Sequence, residues 1–397
     1  MRSKDMLDIW PALPLIIYDT LGIFVDNVVA ALEYRDRVCQ IHLGISESWQ
    51  WEEYLAALQQ PFPELTYLRL KWNDDAVAVP DSFLGGFAPR LEVVDLEGIP
   101  FPRLPKLLLS ASHLVELRLR KIPHSGYFSP DVMAAALSTL TSLEILFLKF
   151  QSPESCPDLE TERPPPSIRS VLPVLKYFDF KGASEYLEDL VIDIEAPQLN
   201  KLMITFFNDV VFDTPHLIHF IGRTPISNAV GKAHILPVDQ AACVTFRSLI
   251  DGNMGLKVII LCEGLNWQLS SVEQICTLCL PFLSMLEDLY IYERGSSLQD
   301  WKDNIENRLW RELLRRFTKV KNIYISYNVA LCIGPALQEL VNRRATEALP
   351  TLENIFLAGL EPSGHVQEGI GQFVAARQVS RRPVTVSYWK ITDLDMI

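Results

Sequence analysis

The sequence predicts an α/β solenoid, and three observations carry that prediction. A short apolar pattern recurs along most of the 397 residues, and a stretch of helical periodicity usually follows each copy. No shift of composition divides the chain into separate domains. Together they describe a strand-plus-helix unit repeated many times.

The pattern is clearest in LTYLRL (65–70), LEVVDL (91–96), LVELRL (114–119) and LEILFL (143–148): apolar, two variable, apolar, variable, apolar. It continues in LKYFDF (175–180), LNKLMI (199–204), LKVIIL (256–261), LEDLYI (286–291), VKNIYI (320–325) and LENIFL (352–357). VCQIHL (38–43) is an earlier, weaker copy. Most copies start about 23 to 34 residues apart, at or slightly above the period of leucine-rich repeats. The array is degenerate: Asn73 fits the consensus slot after the last apolar position, but Ile99 and Ile122 fill it in the next two copies.

Helices are predicted at VMAAALSTL (132–140), SEYLEDLVIDI (184–194), SSVEQICTLCLPFLSML (270–286) and NRLWRELLRRF (307–317). Apolar residues recur there at i, i+3, i+4 and i+7, the stripe of a helix that packs on a sheet. One such unit cannot bury its own apolar face, so neighbours must stack around a shared core. The expected architecture is a curved horseshoe with parallel strands inside and helices outside.

Residues 1–397 are expected to form a single leucine-rich-repeat-like array. Residues 1–37 form an N-terminal lead-in or cap, 38–366 the repeats, and 367–397 a C-terminal cap. Two places break the rhythm. Between Leu199 and Leu256 the spacing doubles, and ACVTFRSLI (242–250), the turn signal DGN (251–253) and LKVIIL predict a hairpin near 242–261. It lies beside one repeat or replaces it. The acidic, proline-rich QSPESCPDLETERPPPS (151–167) reads as an exposed loop.

Composition narrows the function. The chain is 49% hydrophobic with a mean hydropathy of +0.13, ample for a large core. A net charge of −13 argues against nucleic acid, which needs a surplus of Lys and Arg on some face. The apolar run IWPALPLII (9–17) is too short to span a bilayer, and Asp5, Asp8, Pro11, Pro14 and Asp19 spoil it as a signal peptide. It reads instead as a buried lead-in that caps the array. Seven cysteines at irregular spacings suit a reducing compartment, cytoplasmic or nuclear.

Chemistry is sparse. Cys276 and Cys279 form a lone CxxC on an amphipathic helical stretch and read as core. His216 and His219 in HLIHF have a spacing that metal ligands use, but no third ligand accompanies them. No GxSxG, HExxH, P-loop or GxGxxG occurs, and Asp158, Glu160 and Glu162 fall in the proline-rich loop. The expectation is a non-enzyme with no catalytic residue, no cofactor and no metal.

The sheet face away from the helices is more informative. Alternation places outward Tyr67, Arg69 and Lys71, then Val93, Asp95 and Glu97, then Glu116, Arg118 and Arg120, then Ile145, Phe147 and Lys149. Further on it places outward Asp288, Tyr290 and Tyr292, then Asn322, Tyr324 and Ser326, then Asn354, Phe356 and Ala358. Two ladders result, Arg69–Asp95–Arg118 and Lys71–Glu97–Arg120. They read either as self-neutralising surface charge or as a locally basic strip for an acidic or phosphorylated segment. Tyr290, Tyr292, Tyr324 and Phe356 read either as a binding hot spot or as a row covered by a terminal segment such as 384–397. The candidate partner-binding residues are therefore Arg69, Lys71, Arg118, Arg120, Lys149, Tyr290, Tyr292, Tyr324 and Phe356.

Several phrases carry a family likeness. WPALPLII (10–17), NVVAALEYRDRVCQIHL (27–43), PFPELTYLRL (61–70) and GYFSP (126–130) come first. SEYLEDLVIDIEAPQLNKLMITFFN (184–208), LNWQLSSVEQIC (265–276) and RRPVTV (381–386) follow in order. The chain resembles the leucine-rich-repeat region of F-box proteins of mushroom-forming fungi. The resemblance implies a substrate-recognition part of a ubiquitin ligase receptor, with a protein target and no membrane. LPLIIYDTLGIF (13–24) echoes an F-box start, but the first repeat strand is already under way at Val38, so the F-box itself is expected to be missing. Binding to the ligase adaptor is then expected only if an F-box lies upstream, and the chain is expected to be a monomer. A free-standing repeat scaffold, or a truncated paralogue with no ligase link, is the alternative.

Overall fold

The computed structural model describes residues 13–72, 78–153, 169–207, 214–228, 230–238, 240–248, 254–262, 265–278, 283–292, 307–341, 348–358 and 364–389. They form two compact units, Met1–Asn200 with Pro215–Thr224, and Lys201–Thr214 with Pro225–Ile397.

In the first unit the strands are β1 (Leu15–Asp19), β2 (Val38–Ile45), β3 (Tyr67–Trp72), β4 (Val93–Glu97), β5 (Glu116–Ile122), β6 (Ile145–Phe150) and β8 (Tyr177–Gly182). They lie side by side in that order, each parallel to the next. The helices are α1 (Val25–Leu32), α2 (Ser48–Leu58), α3 (Leu104–Leu108), α4 (Pro130–Leu137), α5 (Ser184–Asp193) and α6 (Pro215–Gly222). Two short strands, β7 (Ser170–Val171) and β9 (Ile194–Glu195), pair separately.

Alternation in each strand decides what is buried. In β3, Leu68, Leu70 and Trp72 are buried on the helix side, while Tyr67, Arg69 and Lys71 stay half-exposed on the other. Leu117 and Leu119 in β5, Leu146 and Leu148 in β6, and Phe178 and Phe180 in β8 repeat the arrangement. Each such side chain contributes about 1.5–3 kcal/mol on burial, so the shared core holds the strands in register. Local signals place the helices. Ahead of α2, Glu47 and Gln50 form a reciprocal capping box, and Gln50 Nε2 also donates to the Gly22 carbonyl at 2.8 Å. Ser129–Pro130 opens α4, where proline's missing N–H costs no helical hydrogen bond.

Close approach requires glycine at the end of β4. Gly98 follows β4 at φ +70°, and a Cβ there would lie 2.2 Å from the Trp72 carbonyl oxygen. Its N–H donates to the Arg120 carbonyl at 2.9 Å, which ties the ends of β4 and β5 together.

The second unit holds β10 (Lys201–Phe206), β11 (Val230–Val238), β12 (Ala241–Ser248), β13 (Met254–Leu261), β14 (Asp288–Ile291), β15 (Asn322–Ser326), β16 (Asn354–Ala358) and β17 (Thr385–Trp389). Its helices are α7 (Leu265–Leu278), α8 (Asn307–Arg315), α9 (Tyr327–Val341) and α10 (Gly364–Val379). The strand order is β10-β13-β12-β11-β14-β15-β16-β17. All pairings are parallel except β11 with β12 and β12 with β13.

Three differences from the sequence reading have physical causes. β12 and β13 pair antiparallel over the stretch 242–261 where a hairpin is expected, and β11 adds a third strand, so that only β12 runs backwards. The run that forms β11 carries Pro237, which masks it as a strand in the sequence. Residues 385–389, within the stretch 367–397 expected to cap the array, form a strand, β17, whose backbone pairs with β16. At the other end, residues 15–19 form β1, and only its helix-side residues Ile17 and Asp19 are buried. The lead-in is thus not buried as expected: Leu13 and Ile16 are exposed, since β1 is an edge strand whose outer face nothing in the repeat pattern covers. Asn73, residues 9–12, the DGN turn, Cys279 and residues 154–168 with Asp158, Glu160 and Glu162 lie outside the described residues.

Candidate functional site

The outward face of the first unit is built by register. Arg69 lies opposite Asp95 and Asp95 opposite Arg118, while Lys71 lies opposite Glu97 and Glu97 opposite Arg120. Both ladders therefore exist as rows. Looser ion pairs follow the rows, and the two shortest contacts to Asp95 and Glu97 cut diagonally across them.

Asp95 is gripped by Arg120, whose Nη2 donates to Oδ1 at 2.7 Å and to Oδ2 at 2.9 Å. Arg69 Nε stands 3.5 Å from the same carboxylate. Glu97 takes Lys121 at 2.8 Å, Arg120 at 3.4 Å and Lys71 at 3.8 Å. Arg118 turns away from Asp95: its Nε pairs with Glu116 on its own strand, and its guanidinium lies 4.9 Å from the centre of the Phe147 ring. Lys149 pairs with Asp179 at 2.7 Å, beside the Tyr177 hydroxyl that donates to Asp179 at 3.1 Å.

Layering matters more than pairing. The side chains of Asp95, Glu97 and Glu116 are between 4% and 17% exposed. Those of Arg69, Lys71, Arg118, Arg120 and Lys121 are between 28% and 59% exposed. The carboxylates form a floor and the cations cover it. Burial pushes the Glu97 carboxyl up, but the hydrogen bond from Lys121 and the charges of Arg120, Lys121 and Lys71 outweigh it, leaving the pKa below its ordinary value. On β8, burial and then the Lys149 charge hold Lys181 below the ordinary lysine range.

Lys121 escaped the sequence reading because alternation turns it inward. Its φ of +52° and the register shift between Leu119 and Ile122 rotate it out. His42 escaped as well. It stacks on Tyr67 with centroids 4.4 Å apart, and Tyr18 lies 5.4 Å away on the other side. Burial and the Arg69 charge lower its pKa against the opposing pull of Asp95.

The outward face of the second unit is built from rings. His234, Tyr290, Tyr324 and Phe356 occupy one register row, with successive centroids 4.5, 4.2 and 4.5 Å apart and planes within 9° of parallel. Trp389 of β17 meets Tyr290 and Tyr324 edge-on. Tyr290 is consequently buried, 6% exposed, and Tyr292, edge-on to His234, is 2% exposed, while Tyr324 and Phe356 are half-buried. In the next row the Thr385 hydroxyl donates to Asn354 Oδ1, Asn354 Nδ2 donates to Asn322 Oδ1 at 2.8 Å, and Asn322 Nδ2 donates to Asp288 at 2.7 Å.

The residues weighed for metal or redox chemistry are placed apart from these faces. Cys276 is fully buried in α7, and burial with the Glu273 charge raises its pKa far above a reactive thiol's, Arg316 opposing. His216 and His219 are exposed on α6, while Leu217 and Phe220 make its core contacts. Among the described residues no group of three or more His, Cys, Asp or Glu is placed to hold a metal ion.

Strand-and-helix units stacked on a shared core, with parallel strands presenting one open face, define a leucine-rich-repeat fold. No family model and no curated protein matches the chain. Among solved structures it is similar to the leucine-rich repeat-containing protein LegL7 from Legionella pneumophila, at 13% identity over 94% of each chain and a TM-score of 0.30.

Proposed function

We propose that the chain is a partner-recognition module of an F-box-type ubiquitin ligase receptor, binding a protein target through the outward sheet face of its first unit. One observation carries the binding surface: five cations spread over buried carboxylates on a chain whose net charge is −13. The target contributes an anionic segment, acidic or phosphorylated, that pairs with the guanidinium groups. The ligase link is supported by the ordered likeness of phrases from WPALPLII to RRPVTV.

Catalysis of ubiquitin transfer belongs to other subunits in this reading, and the chain acts as a monomer in the cytoplasm or nucleus. No helix among the described residues is long and apolar enough to cross a membrane. The test is a pull-down of the protein from its own cells with the ligase adaptor as bait. Co-purification is the expected result where an F-box lies upstream of these residues in the natural protein. Its absence, with the target still bound, leaves a free-standing repeat scaffold.

A further inference from the structure

The sheet of the first unit ends at β1, and among the described residues no strand pairs with its outer edge. On the inner side the Leu15 N–H donates to the Arg37 carbonyl at 2.6 Å. Alternate residues of a strand turn their backbone groups to opposite sides. Ile17 and Asp19 therefore also serve β2, while Ile16 and Tyr18 aim both N–H and C=O at the open edge.

Natural edge strands are commonly blunted by an exposed lysine. Here the outward side chains are Ile16 and Tyr18, 62% and 69% exposed. The one charge between Leu13 and Phe24 is Asp19, which is buried and accepts hydrogen bonds from the N–H groups of Leu21, Ile23 and Phe24 at 3.3, 3.2 and 3.0 Å. That grip gathers three more apolar side chains around the end of β1, all more than half exposed, and Leu13 at the other end is exposed as well. On a chain of net charge −13, a patch with no exposed charge is where two copies meet with least repulsion.

The area suits a second copy. A whole aromatic side chain offers about 150–250 Å², so Tyr18 and Phe24 still expose on the order of 100 Å² or more each. With Leu13, Ile16, Leu21 and Ile23 the patch reaches roughly 600 Å², most of the ~800 Å² that each partner contributes to a stable pair.

Symmetry then fixes the register. A twofold axis through Ile17 sets Ile16 opposite Tyr18 of the second copy, and Tyr18 opposite its Ile16. Each opposed pair exchanges two backbone hydrogen bonds, and each joins a β-branched to an aromatic side chain, a favoured cross-strand combination. The same operation brings Leu13 towards Leu21 of the other copy. An axis through Ile16 would instead set Tyr18 against Pro14, which has no N–H to give. An axis through Tyr18 would set Ile16 against Thr20, beyond the end of β1 at Asp19.

We propose that the chain forms a twofold dimer, β1 of one copy pairing antiparallel with β1 of the other and Ile16 lying opposite Tyr18. A pair takes the place of the monomer in the reading above. The axis stands perpendicular to the sheet, so the first units of both copies turn their outward faces to the same side. The cationic residues begin on β3, two strands in, and take no part in the pairing.

The experiment measures the mass of the full chain by light scattering on a sizing column over a range of concentrations. Twice the chain's mass is expected at high concentration. Ile16→Lys with Tyr18→Lys places ammonium groups on both sides of the axis and should weaken the dimer by about a hundredfold or more. Circular dichroism and melting show whether that variant is folded; if it is not, a cysteine pair decides alone. Ile16→Cys mixed with Tyr18→Cys should cross-link under mild oxidation, because opposed residues of a hydrogen-bonded pair stand about 5.5 Å apart, within disulfide reach. Neither variant by itself, nor the unsubstituted chain, should do so. A single chain's mass at every concentration overturns the dimer and leaves the monomer. A dimer untouched by the lysines overturns this interface, and cysteine variants that link to themselves rather than to each other overturn its register. Masses that grow past two copies and are cut back by Tyr388→Lys would mean head-to-tail pairing of β1 with β17, and overturn the twofold.

Discussion

Two outward faces obey one alternation rule and reach opposite states. In the first unit the rows carry charge and stay wet: Arg69, Lys71 and Lys121 remain more than two-fifths exposed. In the second the rows carry rings, and Tyr290 closes up against His234 and Tyr324. The difference lies in what matches the spacing of strands. Aromatic planes stack comfortably near the roughly 4.8 Å between strands, so identical neighbours satisfy each other and exclude water. Guanidinium and ammonium groups lose too much hydration to do the same, so they pair downward and keep an open side. A row of rings becomes structure, whereas a row of cations remains available to a partner.

Substitutions can break that contrast. Tyr290→Ala should cost about 3–5 kcal/mol, the range for truncating a buried aromatic, read as a lowered urea midpoint. A cost below about 1 kcal/mol would mean the stack is an open surface after all. Asp95→Ala removes the floor beneath Arg69 and Arg120. Its expected cost is about 2 kcal/mol, less than for a fully buried pair because water screens the arginines.

The pH dependence is smaller and has a definite sign. Because the folded pKa of Glu97 is depressed, its ion pairs stabilise the protein above the ordinary value of 4.5 and fade as pH falls through the lower folded value. Glu97→Gln should flatten that part of the acid melting profile; an unchanged profile would place the cations elsewhere in solution. Arg69→Gln should change stability least, by about 0.5 kcal/mol or less, and the effect should vanish in high salt. If Arg69→Gln costs as much as Asp95→Ala, the distinction between floor and cover fails.

Much of this fold is legible in the sequence. The ten strongest repeat strands, the outward positions of both faces and the register of both charge rows follow from period and alternation, because a buried face specifies register strongly. The diagonal pairing does not follow, since a flexible arginine reaches either neighbour and the choice depends on local competition for Asp95 and Glu97. Lys121 is hidden by its positive φ, and β11 by Pro237. His234 is hidden with β11, which leaves the aromatic row one member short. The burial of Tyr290 depends in addition on Trp389, whose strand reads as a tail in the sequence.

The reversed strand β12 has a consequence for how the chain emerges during synthesis. In a plain array each strand meets its next neighbour one repeat later. Here the strand beside β10 is β13, which begins at Met254, whereas β10 ends at Phe206. At roughly 5–20 residues per second, β10 waits on the order of 3–10 seconds for that neighbour. During that interval β11 and β12 have already left the ribosome and can pair only with each other. The middle of the protein must therefore assemble backwards, its last-made strand closing the gap.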